Sequence, residues 1–262
     1  MEAVEEKGQA VAQEQGQIKI TVCLSLSGVA EGGQEVYDEF QKQISEMEAN
    51  ATLGERKCEM GQVGCRGYCS RDVLVDVYIP GESRVTYEKV KPAMVKSILN
   101  DHIVGGKVFK KAASKDNYYD TLKMQTRVVL EHGGVIDPES IDEYIRVGGY
   151  ESLKKVLTSM KPDGVIAEIK KSGLRGKGGG GFVTATKWEM AAKAPTDEKG
   201  TRYIMVNGDE GNPASYMDRS VMEGSPHQVI EGLLIGAYAI GATEGIIYTR
   251  SDYAIAVKRL NM

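Results

Sequence analysis

The chain has 262 residues, 41% of them apolar, and a formal net charge of −4. That length suits one large or two small domains, and the mild acidity gives no reason to expect nucleic acid or an anionic membrane surface as partner. No apolar run reaches the roughly 20 residues of a membrane span. The polar start, with Glu2, Glu5 and Glu6, resembles neither a secretory nor a transit signal. Residues 1–15 therefore read as a flexible tail, and a cytoplasmic protein is expected.

Ile18, Ile20 and Val22 alternate with Lys19 and Thr21, the period-two pattern of a strand ending at Cys23. Val36, Phe40, Ile44 and Met47 recur at helical spacing. Val73, Val75 and Val77 alternate again and run into a Pro80-Gly81 turn, and Val95, Ile98, Leu99 and His102 share one face of a further helix. Residues 16–112 thus read as strand, helix, strand and helix, a small α/β domain with cysteine-bearing loops near 23 and 65 at its strand ends. Residues 113–160 are patterned weakly and read as a connector with short helices, one of them around Leu153, Val156 and Leu157.

From 161 the signals sharpen. Pro162 fits a first helical position, Val165, Ile166 and Ile169 form a stripe, and Gly173 ends the helix. A glycine-rich loop follows, then a helix holding Trp188 and Met190. Tyr203 to Val206 read as a buried strand running into Asn207-Gly208-Asp209-Glu210. Ser225, Pro226 and Gln228 have the form of a capping box, ahead of a stripe of Val229, Ile230, Leu233, Leu234, Ala237 and Ile240 closed at Gly241. Ile246 to Tyr248 form another strand, and Ser251 is a candidate cap for a last helix. A doubly wound α/β domain needs more strands than these, so residues 161–262 are expected to be its first part.

Two segments carry chemistry. Residues 173–182, Gly-Leu-Arg-Gly-Lys-Gly-Gly-Gly-Gly-Phe, bring the backbone close to a ligand with no Cβ in the way. Successive amides in such a loop form an anion nest, and Arg175, Lys177 and Lys187 add positive charge. The pattern suits a nucleotide or flavin phosphate. It is neither a Walker loop, lacking Gly-Lys-Ser/Thr, nor a Rossmann fingerprint, lacking a preceding strand. The bland alternative is a linker, which favours serine over Arg, Lys, Phe and Trp. Asn207 to Glu210 follow a strand, where α/β proteins bind ligands; there Asn207 and Asp209 can read a ring edge or ribitol hydroxyls and Glu210 can face a nicotinamide. The alternative is an ordinary Asx turn.

Arg175-Gly176-Lys177-Gly178 through Phe182, Lys187-Trp188, Asn207 to Glu210, Asp218-Arg219, Pro226-His227 and Glu231-Gly232 follow in the order and spacing of one family. The chain resembles the NADH-binding, FMN-containing flavoprotein subunit of complex I and of NAD-linked hydrogenases and formate dehydrogenases, and its flanks Tyr144-Ile145 and Gly149 to Leu153 look most like the hydrogenase branch. The resemblance implies that Gly176, Lys177, Gly178, Lys187, Asn207, Asp209 and Glu210 contact FMN. It implies that Gly178, Gly179, Phe182, Lys187 and Glu210 face NAD(H), with Glu210 as the catalytic candidate. The implied chemistry is hydride transfer between NAD(H) and FMN, with electrons passed on to iron–sulfur subunits of a hydrogenase, formate dehydrogenase or bifurcating complex. The sequence departs from the family at Lys177, at residues 182–185, at Met190, Asn212 and Ala214, and it ends before the family's later flavin contacts and four-iron cluster. A truncated docking subunit without stable flavin is the alternative.

The N-terminal domain resembles the thioredoxin-like [2Fe–2S] ferredoxins. Cys65 and Cys69 match their Cys-x3-Cys pair and Cys23 begins the Cys-x4-Cys pair, whose second position is Gly28. Four ligands are needed. Cys58 is the expected replacement, with Ser25 or Ser27 as poorer candidates, so Cys23, Cys58, Cys65 and Cys69 are the expected metal ligands. A cluster-free relic and a zinc site on the same four cysteines remain open. His102, His132 and His227 are expected to bind no metal, and Trp188 is expected to be core.

Overall fold

The computed structural model describes residues 16–115, 124–212 and 215–262; the expected N-terminal tail lies outside them. The chain divides into two units, residues 1–143 with Glu223–Ser225, and residues 144–222 with 226–262. The division falls inside the segment read as a connector.

The first unit is built on a four-stranded sheet in the order β2-β1-β3-β4, formed by β1 (Ile18–Cys23), β2 (Cys58–Val63), β3 (Val75–Tyr78) and β4 (Val85–Tyr87). β1 runs parallel to β2 and antiparallel to β3. Between β1 and β2 lie a short helix α1 (Leu26–Ala30) and the long α2 (Gly33–Ala49); α3 (Pro92–Ser97) passes into a π-helical stretch, Ile98–Val104. Val36, Phe40 and Ile44 from α2 pack with Ile20, Val22, Val75, Val77 and Leu99 in one core, as their periodicity requires.

β1 and β3 are central strands, and both of their faces are covered. Lys19 is buried because it forms an ion pair with Glu143, and its neighbour strand buries Asp76 against Arg66 and Arg84. Burial alone would raise the Asp76 pKa, but the two guanidiniums hold it below the usual carboxylate value. His102 is buried, with its Nδ1 2.9 Å from the Tyr87 hydroxyl.

The second unit holds α4 (Ile141–Arg146) from Tyr144 onward, α5 (Glu151–Ser159), α6 (Pro162–Ser172), α7 (Thr184–Lys193), β5 (Tyr203–Gly208), α8 (Met217–Gly224) up to Met222, α9 (Pro226–Ile240), β6 (Glu244–Thr249) and α10 (Ala254–Leu260). α6 starts on Pro162 and ends on Gly173, in the left-handed region at φ +69°. Val156, Val165, Ile166, Ala185 and Ala239 form its core, with Trp188 packed against them. β5 and β6 pair in parallel. Ile204 and Val206 are partly buried, while Tyr203, Met205, Ile246 and Tyr248 are exposed, so β5 is not the buried strand expected. The capping box is corrected too: among the described residues Ser225 Oγ and Gln228 Oε1 find no partner. The last helix begins at Ala254 with Tyr253 before it, not at Ser251.

Candidate cofactor sites

Sheet polarity sorts the cysteines of the first unit. Cys23 closes β1, Cys65 and Cys69 follow the end of the parallel β2, and Asp72 precedes the antiparallel β3. All four therefore lie at one end of the sheet. Cys65 Sγ and Cys69 Sγ are 3.5 Å apart, close to the about 3.8 Å separating two thiolates on one tetrahedral metal with bonds near 2.3 Å. Ser27 Oγ donates to the Cys69 carbonyl at 3.4 Å, and the Cys69 carbonyl accepts from Asp72 N at 3.2 Å. Burial pushes the Cys23 thiol up to about 12, with Asp72 adding to the effect, and burial pushes Cys65 up to about 11. A coordinating metal deprotonates such thiols outright.

Cys58 is elsewhere. It pairs with Ile18, whereas Cys23 pairs with Val63; five residues at about 3.3 Å put it roughly 16 Å down the sheet from the others. Its expected role as replacement ligand is corrected on that ground, and so is a zinc site using all four cysteines. Among the described residues, no group of three or more His, Cys, Asp or Glu side chains is arranged to hold a metal ion. A cluster with two irons asks instead for a ligand pair on each iron. Cys65 and Cys69 would form one such pair, and Cys23 would supply half of the other. The residues fit a two-iron group with one position to be filled.

In the second unit, the glycine loop is closed at its neck. Gly176 N donates to Phe182 O at 2.8 Å, Thr184 N to Leu174 O at 3.0 Å, and Arg175 Nη1 to Gly181 O at 3.0 Å. Inside the neck, no described group accepts from the amides of residues 177–181. Gly179 and Gly181 sit at φ +102° and +59°, and around residues 178–181 there is open space. The chain thus offers a row of free donors with Lys177 and Lys187 exposed beside them, and α7 begins directly behind. Arg202 Nη2, just before β5, donates to the Ala194 carbonyl at the far end of α7. The start of α7 and the loop therefore face the same way as the carboxyl ends of β5 and β6. The loop and the Asn207–Glu210 turn belong to one end of the sheet. Phe182 is 52% exposed there.

The turn is only partly open. Asn207 Oδ1 accepts from Asp209 N at 3.1 Å, the Asx turn that sequence left as an alternative, and the Asp209 carboxylate stays exposed. Arg250 braces the turn by donating to the Glu210 carbonyl at 3.0 Å. Glu210 is spoken for. Its Oε1 accepts from Met217 N at 2.7 Å and its Oε2 from Arg219 N at 3.0 Å and the Tyr253 hydroxyl at 3.2 Å. Burial would raise its pKa, but the amides of Arg219, Asp218 and Met217 with Tyr253 hold it below the ordinary glutamate value. Its side chain caps α8.

Sequence reasoning missed two carboxylates. Glu231 accepts from the Tyr144 hydroxyl at 2.6 Å, Tyr150 N at 2.9 Å and Leu153 N at 3.1 Å, tying α9 to the start of α5. His227 joins that network through the Tyr150 hydroxyl at 2.9 Å. Asp72 carried no spacing signal.

Comparison with known proteins identifies the parts. Residues 169–262 match the family of the Nuo51 FMN-binding domain, and residues 10–102 match the thioredoxin-like [2Fe-2S] ferredoxin family. Over those segments the chain is similar to a thioredoxin-like ferredoxin domain followed by the first part of a flavoprotein-subunit domain. It is 52% identical over 140 residues to the NADP-reducing hydrogenase subunit HndC of Solidesulfovibrio fructosivorans, covering 53% of this chain and 28% of that one. It is 47% identical over 114 residues to an NADH-quinone oxidoreductase subunit of Aquifex aeolicus, covering 44% of this chain and 26% of that one. A crystal structure of an NAD+-reducing [NiFe]-hydrogenase aligns at 19% identity and TM-score 0.41, over 99% of this chain and 45% of the other. The chain thus spans about a quarter to a third of the curated relatives' length. Among the described residues, no helix is long and apolar enough to cross a membrane.

Proposed function

We propose that the chain is part of an NADH:acceptor oxidoreductase subunit, with its second unit binding FMN and NAD(H) and its first unit a two-iron cluster. The observation that carries this reading is the row of unpartnered amides at residues 177–181. They sit before a helix start, beside two lysines, at the carboxyl end of parallel strands. Backbone donors of that kind select an anionic phosphate. Gly176, Lys177, Gly178 and Lys187 hold the flavin phosphate in this reading, and Asn207 and Asp209 turn toward its ribitol or ring. Gly178, Gly179, Lys187 and the exposed ring of Phe182 form the surface offered to the dinucleotide. When bound, FMN supplies hydride acceptance and single-electron release, and the protein contributes position and charge. Relatives named as hydrogenase and NADH-quinone oxidoreductase subunits support assembly with iron–sulfur subunits of a hydrogenase, formate dehydrogenase or bifurcating complex in the cytoplasm.

Fluorescence titration of FMN with the full chain tests the reading. Quenching that saturates, and that inorganic phosphate competes away, is expected; no quenching at millimolar protein overturns it. A second reading, a docking subunit that holds no flavin stably, draws on the exposed face of Tyr203, Met205, Ile246 and Tyr248. It predicts a folded chain that leaves FMN fluorescence unchanged.

A further inference from the structure

The open position at the cluster site has a candidate that the cysteine spacing does not reveal. The position the spacing assigns, Gly28, is closed: a Cβ there would lie 2.1 Å from the Cys23 carbonyl oxygen, so a side chain at 28 requires the backbone to move. Ser25 is engaged as the cap of α1, where its Oγ accepts from Gly28 N at 3.4 Å and lies 3.3 Å from Cys23 Sγ. Ser27 is engaged with the Cys69 carbonyl. Asp72 remains. It is 5% exposed and faces the Cys23 thiol, the Ser27 hydroxyl and the Leu74 amide, yet among the described residues neither carboxylate oxygen has a hydrogen-bond partner of normal geometry. A buried carboxylate held only by such loosely placed neighbours is poorly compensated. A cation at this point satisfies it.

We propose that Asp72 is the fourth protein ligand of a two-iron cluster, binding through a carboxylate oxygen to the iron that Cys23 also holds, with Cys65 and Cys69 on the other. The inference rests on the two-iron reading of the first unit. Charge favours the assignment: an aspartate is a monoanion like the thiolate it replaces, so the net charge of the ligand set is kept, whereas a serine ligand has first to lose a hydroxyl proton. The oxygen donor also removes one sulfur-to-iron charge-transfer contribution from the visible spectrum.

The full chain and its Asp72→Asn and Asp72→Cys variants are reconstituted anaerobically with ferrous iron and sulfide. They are compared by iron and labile-sulfide content, visible absorption and the electron paramagnetic resonance of the dithionite-reduced form. The wild type is expected to take up iron and sulfide in equal amounts. Asp72→Asn is expected to bind about tenfold more weakly or worse. Asp72→Cys is expected to load fully, with stronger visible absorption and shifted g values. A wild type that takes up no iron refutes the two-iron reading itself. If the wild type loads and Asp72→Asn loads equally with an unchanged reduced spectrum, Asp72 is not a ligand, although the reading stands. Should circular dichroism show Asp72→Asn misfolded, Asp72→Cys decides: a spectrum identical to wild type overturns the assignment and a shifted one supports it.

Discussion

Replacing Glu210 by Gln separates a capping role from a catalytic one. The carboxylate accepts two amide bonds from the start of α8 and one from Tyr253. Glutamine keeps one acceptor and turns an amide N–H toward the remaining donors, so one to two charge-assisted bonds are lost, at about 1.5–3 kcal/mol each. Losing a negative charge at a helix start adds about 0.3–1 kcal/mol. The expected destabilisation is about 2–7 kcal/mol, which lowers a urea midpoint by roughly 1–3.5 M at a typical slope near 2 kcal/mol per M. Trp188, the only tryptophan, is packed in the core of this unit, so its fluorescence reports the relevant transition. Glu210 has a lowered pKa in the folded state. Its contribution is therefore fully present above the ordinary glutamate range and is lost as pH falls through the lowered value, so the gap between wild type and variant closes on acidification. Tyr253→Phe, removing one bond, is expected to cost about 1 kcal/mol. A Glu210→Gln protein that unfolds at the wild-type midpoint but binds dinucleotide tenfold more weakly would refute the capping account.

Breaking the buried Arg66–Asp76 pair by Asp76→Asn is expected to cost about 3–5 kcal/mol in the first unit. Because the folded-state pKa of Asp76 is depressed, wild-type stability from this pair vanishes only as pH drops through that low value, which acid titration by circular dichroism checks. Glu231→Ala leaves three donors orphaned and is expected to cost about 3 kcal/mol, with faster hydrogen exchange at the Tyr150 and Leu153 amides. Lys177→Ala and Lys187→Ala are each expected to weaken FMN binding by up to about fivefold, with a flatter salt dependence in the same titration. Cys58→Ser is expected to leave iron uptake unchanged, whereas Cys65→Ser abolishes it.

The elements legible in the sequence were those with a clear period. β1, α2, β3, α6 and the stripe of α9 each repeat apolar residues at the spacing their structure requires. β2 was missed because Cys-Glu-Met-Gly-Gln-Val, on the sheet edge, shows no regular apolar alternation, and β4 because three residues carry no period. Local pattern also misjudged surroundings: Lys19 and Thr21 look solvated, but Lys19 is paired to Glu143, more than a hundred residues away. The glycine loop was legible because its backbone role depends on residue type alone. The capping contacts of Glu210 were not legible because its partners, Met217, Arg219 and Tyr253, are set by the return of the chain. Cys58 was misread because sequence proximity to Cys65 conceals opposite ends of a strand.

The most direct test of the account is cofactor analysis of the full chain purified anaerobically: acid-released flavin, iron, labile sulfide and zinc on one sample. FMN together with equal iron and sulfide is the predicted result. A folded, colourless protein holding zinc and no flavin would contradict it.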